Sequence, residues 1–215
     1  MQLQEFLQDL NARMSAAKTT GLWSEADKKR WLNKSIVRAC NFAKWNFLTH
    51  HATQMTEENV EAYFIPFDYK PGGMMFVKVD GDEHVKTKLE NYQSGNYVWE
   101  RVFAFVGDQF LLTPIPSEAG KVIDIYYRRR PIPLVNDTDE SITPEEMDEA
   151  IVKFALATCL KKDPNRRADG DKEILEASAI LQQIKDREDE EGGEAGFVGQ
   201  ATSTRFLYKN SDSQN

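Results

Sequence analysis

Three histidines and two cysteines are the side chains readiest for chemistry, and none has the neighbours that catalysis or metal binding needs. His50 and His51 could act as a general base or as ligands, and His84 stands alone in a polar hairpin segment. No serine or cysteine nucleophile motif lies beside them, and GxSxG, HExxH and CxxC spacings are all absent. Cys40 and Cys159 fall inside helical patterns without a histidine at metal spacing, so they read as reduced core residues. Asp80-Gly81-Asp82-Glu83 resembles the start of a calcium loop but lacks further ligands and reads as a polar turn. Asp163 to Asp171 fails as an EF-hand, because Ala168 stands where that loop requires glycine. Pro71-Gly72-Gly73 is too short for a phosphate loop and runs into Met74-Met75. The expectation is a protein with no catalytic, cofactor-binding or metal residues.

Surface features remain. Tyr126-Tyr127-Arg128-Arg129-Arg130 mixes tyrosine and arginine, two residue types enriched at protein interfaces. It is either a strand end whose arginines face water or a contact with another subunit. The other basic runs, Lys28-Lys29-Arg30, Lys161-Lys162 and Arg166-Arg167, are short. Acidic residues number 35 against 27 basic, a net charge of −8. Such a chain is a poor candidate for wrapping nucleic acid, which demands clustered cations that displace counterions. The N-terminus lacks a basic and then apolar leader, and no apolar run approaches the roughly 20 residues needed to span a bilayer. A reducing cytosol without a membrane anchor is the expected setting.

The elements that would position these surfaces follow from periodicity. Leu3, Phe6, Leu7, Leu10 and Met14 repeat at helical spacing until Thr19-Thr20-Gly21 breaks the pattern. Ser24 offers an N-cap to a second helix running to about Leu48, with Trp31, Leu32, Ile36, Ala39, Cys40, Ala43 and Phe47 on its apolar side. Core packing is expected for at least two of Trp23, Trp31 and Trp45. From Ala62 to Arg130 the chain turns aromatic, β-branched and rich in turn residues. Strands are predicted at 63–65, 74–79, 84–89, 97–106, 109–113 and 121–128, with hairpins at Asp80-Gly81-Asp82 and Gly107-Asp108. The 97–106 strand is apolar on both faces, which places it centrally or against a neighbouring subunit. Thr143-Pro144 reads as the N-cap and first residue of a third helix, with Ile142 and Met147 as its hydrophobic staple, stopped by Asp163-Pro164. A fourth helix from about Ala168 to Glu188 carries a narrow stripe of Ile174, Ala177, Leu181 and Ile184. Beyond the acidic run the periodicity ends. Gly192–Asn215 nevertheless keeps Phe197, Val198, Phe206, Leu207 and Tyr208, so it reads as a frayed tail or as an arm that orders in a partner's groove.

Several stretches, taken in order, resemble one family. Ala39 to Leu48, with its Trp45-Asn46-Phe47-Leu48 finish, is similar to the end of the long N-terminal helix of phage head–tail adaptor (connector or neck) proteins. Tyr63-Phe64-Ile65-Pro66-Phe67-Asp68, the hairpin Gly107 to Pro116, and Ile123-Asp124-Ile125-Tyr126-Tyr127-Arg128 resemble that family's strands. The set spans about residues 3 to 190 and leaves the C-terminal tail unmatched. The resemblance implies an α+β fold: an α-helical bundle of about four helices (1–60 and 136–191), an inserted antiparallel β-subdomain (61–135) and an extended C-terminal arm (192–215). It implies a structural, non-enzymatic subunit of the virion neck, assembled in the host cytoplasm. Its partners would be itself in a ring, commonly a dodecamer, the portal protein, tail or nozzle proteins, and double-stranded DNA in transit. Phe197, Phe206, Leu207 and Tyr208 would then anchor the portal-binding arm. Tyr126, Arg128, Arg129 and Arg130 would meet a neighbouring subunit or the tail, and Glu188, Asp189, Glu190 and Glu191 would line the channel. The competing readings are another virion or tail-assembly component, or a ligand site gathering His50, His51, Glu57 and Glu58.

Overall fold

The computed structural model describes residues 1–17 and 23–207, with backbone alone from residue 191 onward. Among the described residues it holds five α-helices and one seven-stranded sheet. The chain divides into two compact units, Met1–Asn46 with Pro133–Asn215, and Phe47–Ile132. The Thr19-Thr20-Gly21 break lies outside the described residues.

The first unit is helical. Helix α1 (Leu3–Ala16) buries Leu3, Phe6, Leu7, Leu10 and Met14, the five residues of its sequence stripe. Helix α2 (Glu25–Phe42) begins at Ser24, whose Oγ accepts from the Asp27 backbone N–H at 3.1 Å, satisfying one of the orphan donors of the first turn. It stops at Phe42, well short of the expected Leu48. Ala43 turns to extended backbone, and the fully buried Trp45 folds back to donate Nε1–H to the Ala39 carbonyl at 2.8 Å. The indole thereby occupies a carbonyl that a continuing helix would have used itself. Trp31 is buried too, with Trp23 packed edge-on against it at 5.2 Å.

The helix expected at Thr143 begins later. Thr143 is buried against the Ser141 hydroxyl at 2.6 Å, Pro144 keeps non-helical backbone, and Glu145–Met147 form a 3₁₀ turn. Helix α3 (Leu89–Ser94) is a short element of the second unit, and α4 (Asp148–Leu160) follows the 3₁₀ turn. Apolar residues surround α4 on nearly every side, and Ala150, Ile151, Val152, Phe154, Ala155, Leu156, Ala157, Cys159 and Leu160 are all buried. A helix apolar all round belongs at the centre, and α1, α2 and α5 (Arg167–Leu207) each pack against it. Ala177 and Leu181 of α5 are buried, and Gly170 lets α5 approach α4, since a Cβ there would lie 3.0 Å from the Ala157 carbonyl oxygen. The backbone of α5 stays helical to Leu207, where an extended arm was expected from residue 192. No proline interrupts it, and extending an existing helix needs no new nucleus, so Gly192 and Gly193 lower its stability without ending it.

The second unit is a sheet in the order β1-β7-β3-β4-β5-β6-β2. Its strands are β1 (Thr49–Met55), β2 (Ala62–Phe64), β3 (Tyr69–Val79), β4 (Asp82–Lys86), β5 (Val102–Val106), β6 (Gln109–Thr113) and β7 (Val122–Arg129). All pairs are antiparallel except β4 and β5, which run parallel with Val85 opposite Val102 and are joined through α3. One core draws on Tyr63, Val77, Phe103, Phe110, Leu112, Ile123, Ile125 and Tyr127, residues from across the sheet order, so the sheet curls around it. Gln54 Nε2 of one edge strand donates to the Phe64 carbonyl of the other at 2.6 Å. Both hairpins expected from sequence form. Asp80 and Gly81 both take positive φ, the backbone that a two-residue type I′ turn requires. β5 is buried on both faces, Phe103 in the main core and Val102 and Ala104 in a second cluster with Tyr92.

Candidate docking surfaces

The histidines do not converge on a reaction. His50 and His51 lie on β1, on a strand and not at a helix end, and point to opposite faces. His50 packs edge-on against Tyr127 at 5.7 Å, while His51 Nε2 contacts Asp124 Oδ1 at 2.7 Å. His84 is buried beneath the β3–β4 turn, and burial lowers its pKa. Among the described residues no group of three or more His, Cys, Asp or Glu side chains could hold a metal ion. Asp82 of the expected polar turn pairs with Arg101 at 2.8 Å, and Asp163 caps the Asn165 N–H at 2.9 Å.

Three surfaces carry the residues singled out in the sequence. On the outer face of β1, β7 and β3 the rings of His51, Tyr126 and Phe76 stack in a ladder, with centroids 4.4 and 4.3 Å apart. The register explains it: His51 pairs with Tyr126, and Tyr126 with Phe76. Lys78 Nζ lies 5.3 Å above the Phe76 ring, on the side where Lys78 pairs with Asp124. Of the arginines that follow Tyr126, strand alternation sends Arg128 and Arg129 of β7 to opposite faces. Each has a shielded Nε without a hydrogen-bond partner among the described residues. Arg130 donates from Nη2 to the Phe67 carbonyl at 3.1 Å and from its backbone N–H to the Asp68 carbonyl at 2.7 Å. Between them Tyr127 points into the core and donates to Asp68 Oδ1 at 2.7 Å, with its pKa pushed up mainly by burial.

The acidic run on α5 is partly engaged. Glu188 Oε1 accepts from the Asn46 N–H at 3.3 Å, and Asp189 pairs with Lys185 one turn earlier. Arg187, within the run, pairs with Glu146. Glu190 is exposed, and the Glu191 side chain lies outside the described residues. So do the side chains of Phe197, Phe206 and Leu207, and the whole of Tyr208.

One surface escaped the sequence reading. Tyr97 to Val106 is not one strand: β5 starts only at Val102, and α3 ends at Gly95 with left-handed backbone. The residues between form a loop that holds Val98 at 93% and Trp99 at 60% exposure. Ser94-Gly95-Asn96 is the turn signal that marks it, obscured by the apolar run that follows. Phe64 and Phe67, at 62% and 79% exposure, are further large apolar side chains in water.

The described residues thus combine a helical unit with an inserted curled sheet that presents aromatic side chains outward. The family model described as SU10 adaptor protein matches residues 1–198, and the chain belongs to that family. This agrees with the phage head–tail adaptor resemblance of the sequence and makes the chain a virion component. No curated protein matches it.

Proposed function

We propose that this subunit forms a ring, a dodecamer, in the neck of a tailed phage, docked on the portal vertex below the capsid. The ring extends the DNA channel and offers tail or nozzle proteins their platform, after assembly in the host cytoplasm. The family match over residues 1–198 is the observation that carries this reading. The exposed Val98, Trp99, Phe64 and Phe67 supply the apolar contact that subunit docking needs. The net charge of −8 suits a conduit that lets double-stranded DNA pass without holding it. No described helix is long and apolar enough to cross a membrane. In this role the subunit is structural and needs no enzyme activity or cofactor. Phe197, Phe206, Leu207 and Tyr208 grip the portal, Tyr126 and Arg128 to Arg130 meet a neighbour or the tail, and Glu188 to Glu191 face the lumen.

The test is assembly. Mixed with the portal protein of the same phage, the chain should pass from its free form to a ring of the portal's symmetry, read by light scattering and electron microscopy. A mixture in which it stays free of the portal refutes the proposal.

A further inference from the structure

The loop that carries Trp99 is tied down by Tyr97 against Tyr92 and by Arg101 paired with Asp82, yet it leaves Val98 and Trp99 in water, and a groove elsewhere on the same unit has the chemistry to receive them. Trp99 and Val98 stand beside Val85, Glu83 and Arg101. The groove, about 630 Å³, lies where β4 passes into α3. Its floor is apolar, from Phe105 and Leu89, and Gln93 closes one side. Two cations, Lys86 and Lys88, and one carboxylate, Glu90, also line it, with Lys86 Nζ 4.9 Å above the Phe105 ring. Neither ammonium forms an ion pair among the described residues, and neither does the exposed carboxylate of Glu100, next to Trp99.

We infer that Trp99 of one copy docks in the Lys86–Phe105 groove of the next, with Glu100 set against Lys86 and Lys88. An exposed tryptophan brings roughly 150–250 Å² of apolar area to such a contact, and tryptophan is prominent among the side chains that dominate interfaces. Arg101 beside the knob is already paired with Asp82, which leaves Glu100 to meet a groove whose lining carries two lysines against the one carboxylate of Glu90, and that balance of charge orients the contact. Val85 lies beside the knob and Lys86 beside the groove. Successive strand residues face opposite sides, so a copy does not fill its own groove. A knob and a groove on different faces make a head-to-tail contact, the kind that closes into rings. This inference rests on the ring proposal and supplies its subunit contact.

The experiment uses full-length chains assembled on the portal. A Val98→Cys chain, which keeps Trp99, is mixed with a Gln93→Cys chain and oxidised with copper phenanthroline, so that any disulfide between the engineered positions joins two copies. A covalent dimer on a denaturing gel is expected, and none when Val122→Cys replaces Gln93→Cys. Trp99→Ala should raise the concentration needed for ring formation at least about tenfold. Glu100→Lys should do likewise and be rescued by Lys86→Glu with Lys88→Glu, with melting curves showing each chain folded. If the wild type forms rings but the Val98→Cys and Gln93→Cys chains give no cross-link and Trp99→Ala assembles undiminished, the inference is overturned while the ring proposal stands. Loss of tail attachment alone in Trp99→Ala would assign the knob to a tail protein and likewise overturn it. If the wild type forms no ring on the portal, both fall.

Discussion

Asp148 is buried in the first turn of α4, and neither carboxylate oxygen has a hydrogen-bond partner among the described residues. Burial lifts its pKa from 3.8 to about 6, helped by the carboxylates of Glu145 and Glu5 and opposed by the Met1 ammonium 3.6 Å away. A raised acid holds its proton more tightly when folded, so its contribution is most favourable below pH 4 and is lost as pH rises through about 6. Asp148→Asn removes that dependence. Relative to wild type, the variant should gain about 2 kcal/mol of unfolding free energy between pH 4 and pH 7, measured by urea denaturation at each pH. Tyr127 makes the opposite case of a buried polar group that is satisfied. Tyr127→Phe strips Asp68 of its donor and should cost about 1–3 kcal/mol, read as a lower urea midpoint with an unchanged slope.

At the scale of elements, close approach competes with propensity at Gly170. Alanine there would raise intrinsic helix propensity by about 1 kcal/mol, but its Cβ would lie 2.7 Å from Lys161 Cγ and 3.0 Å from the Ala157 carbonyl. The backbone of α4 cannot yield as a side-chain tip could, so Gly170→Ala should destabilise by about 1–3 kcal/mol in thermal or urea melts, against its propensity. The same competition decides what the sequence made legible. The stripes of α1 and α5 and the two hairpins were readable because their signals are local: period, cap residue, and an Asp-Gly or Gly-Asp turn between apolar runs. Strand β1 was not, because Thr49-His50-His51-Ala52-Thr53-Gln54 has no apolar alternation and gains its conformation from pairing with β7, far along the chain. The early end of α2 was hidden likewise, since it depends on the Trp45 indole folding back onto Ala39. The parallel pairing of β4 with β5 follows from the α3 crossover, which a reading of Tyr97–Val106 as one strand had covered over. Of the surfaces, Tyr126 was found through its neighbours in sequence, but its stacking partners His51 and Phe76 come from other strands and only the register reveals them.

On the scale of the whole molecule, the proposed portal-binding residues lie in a different part of the chain from the buried residues described, which gives the ring proposal a separation to test. Among the described residues the helical unit builds its core around α4, with Leu181 the last buried residue of α5, and the sheet unit builds its own core. Phe197, Phe206, Leu207 and Tyr208, whose side chains lie outside the described residues, are proposed to bind the portal. Removing residues 192–215 should leave the melting of both units within about 2 °C of the full chain, because every buried residue among the described ones is retained. Portal binding should fall by about a hundredfold or more, since several large apolar anchors would be lost together. Restoring the segment with Phe197, Phe206, Leu207 and Tyr208 all changed to serine separates the anchors from mere chain length. Binding measured by biolayer interferometry should remain at the truncated level, whereas recovery to the full-chain value would show that these side chains are not the grip.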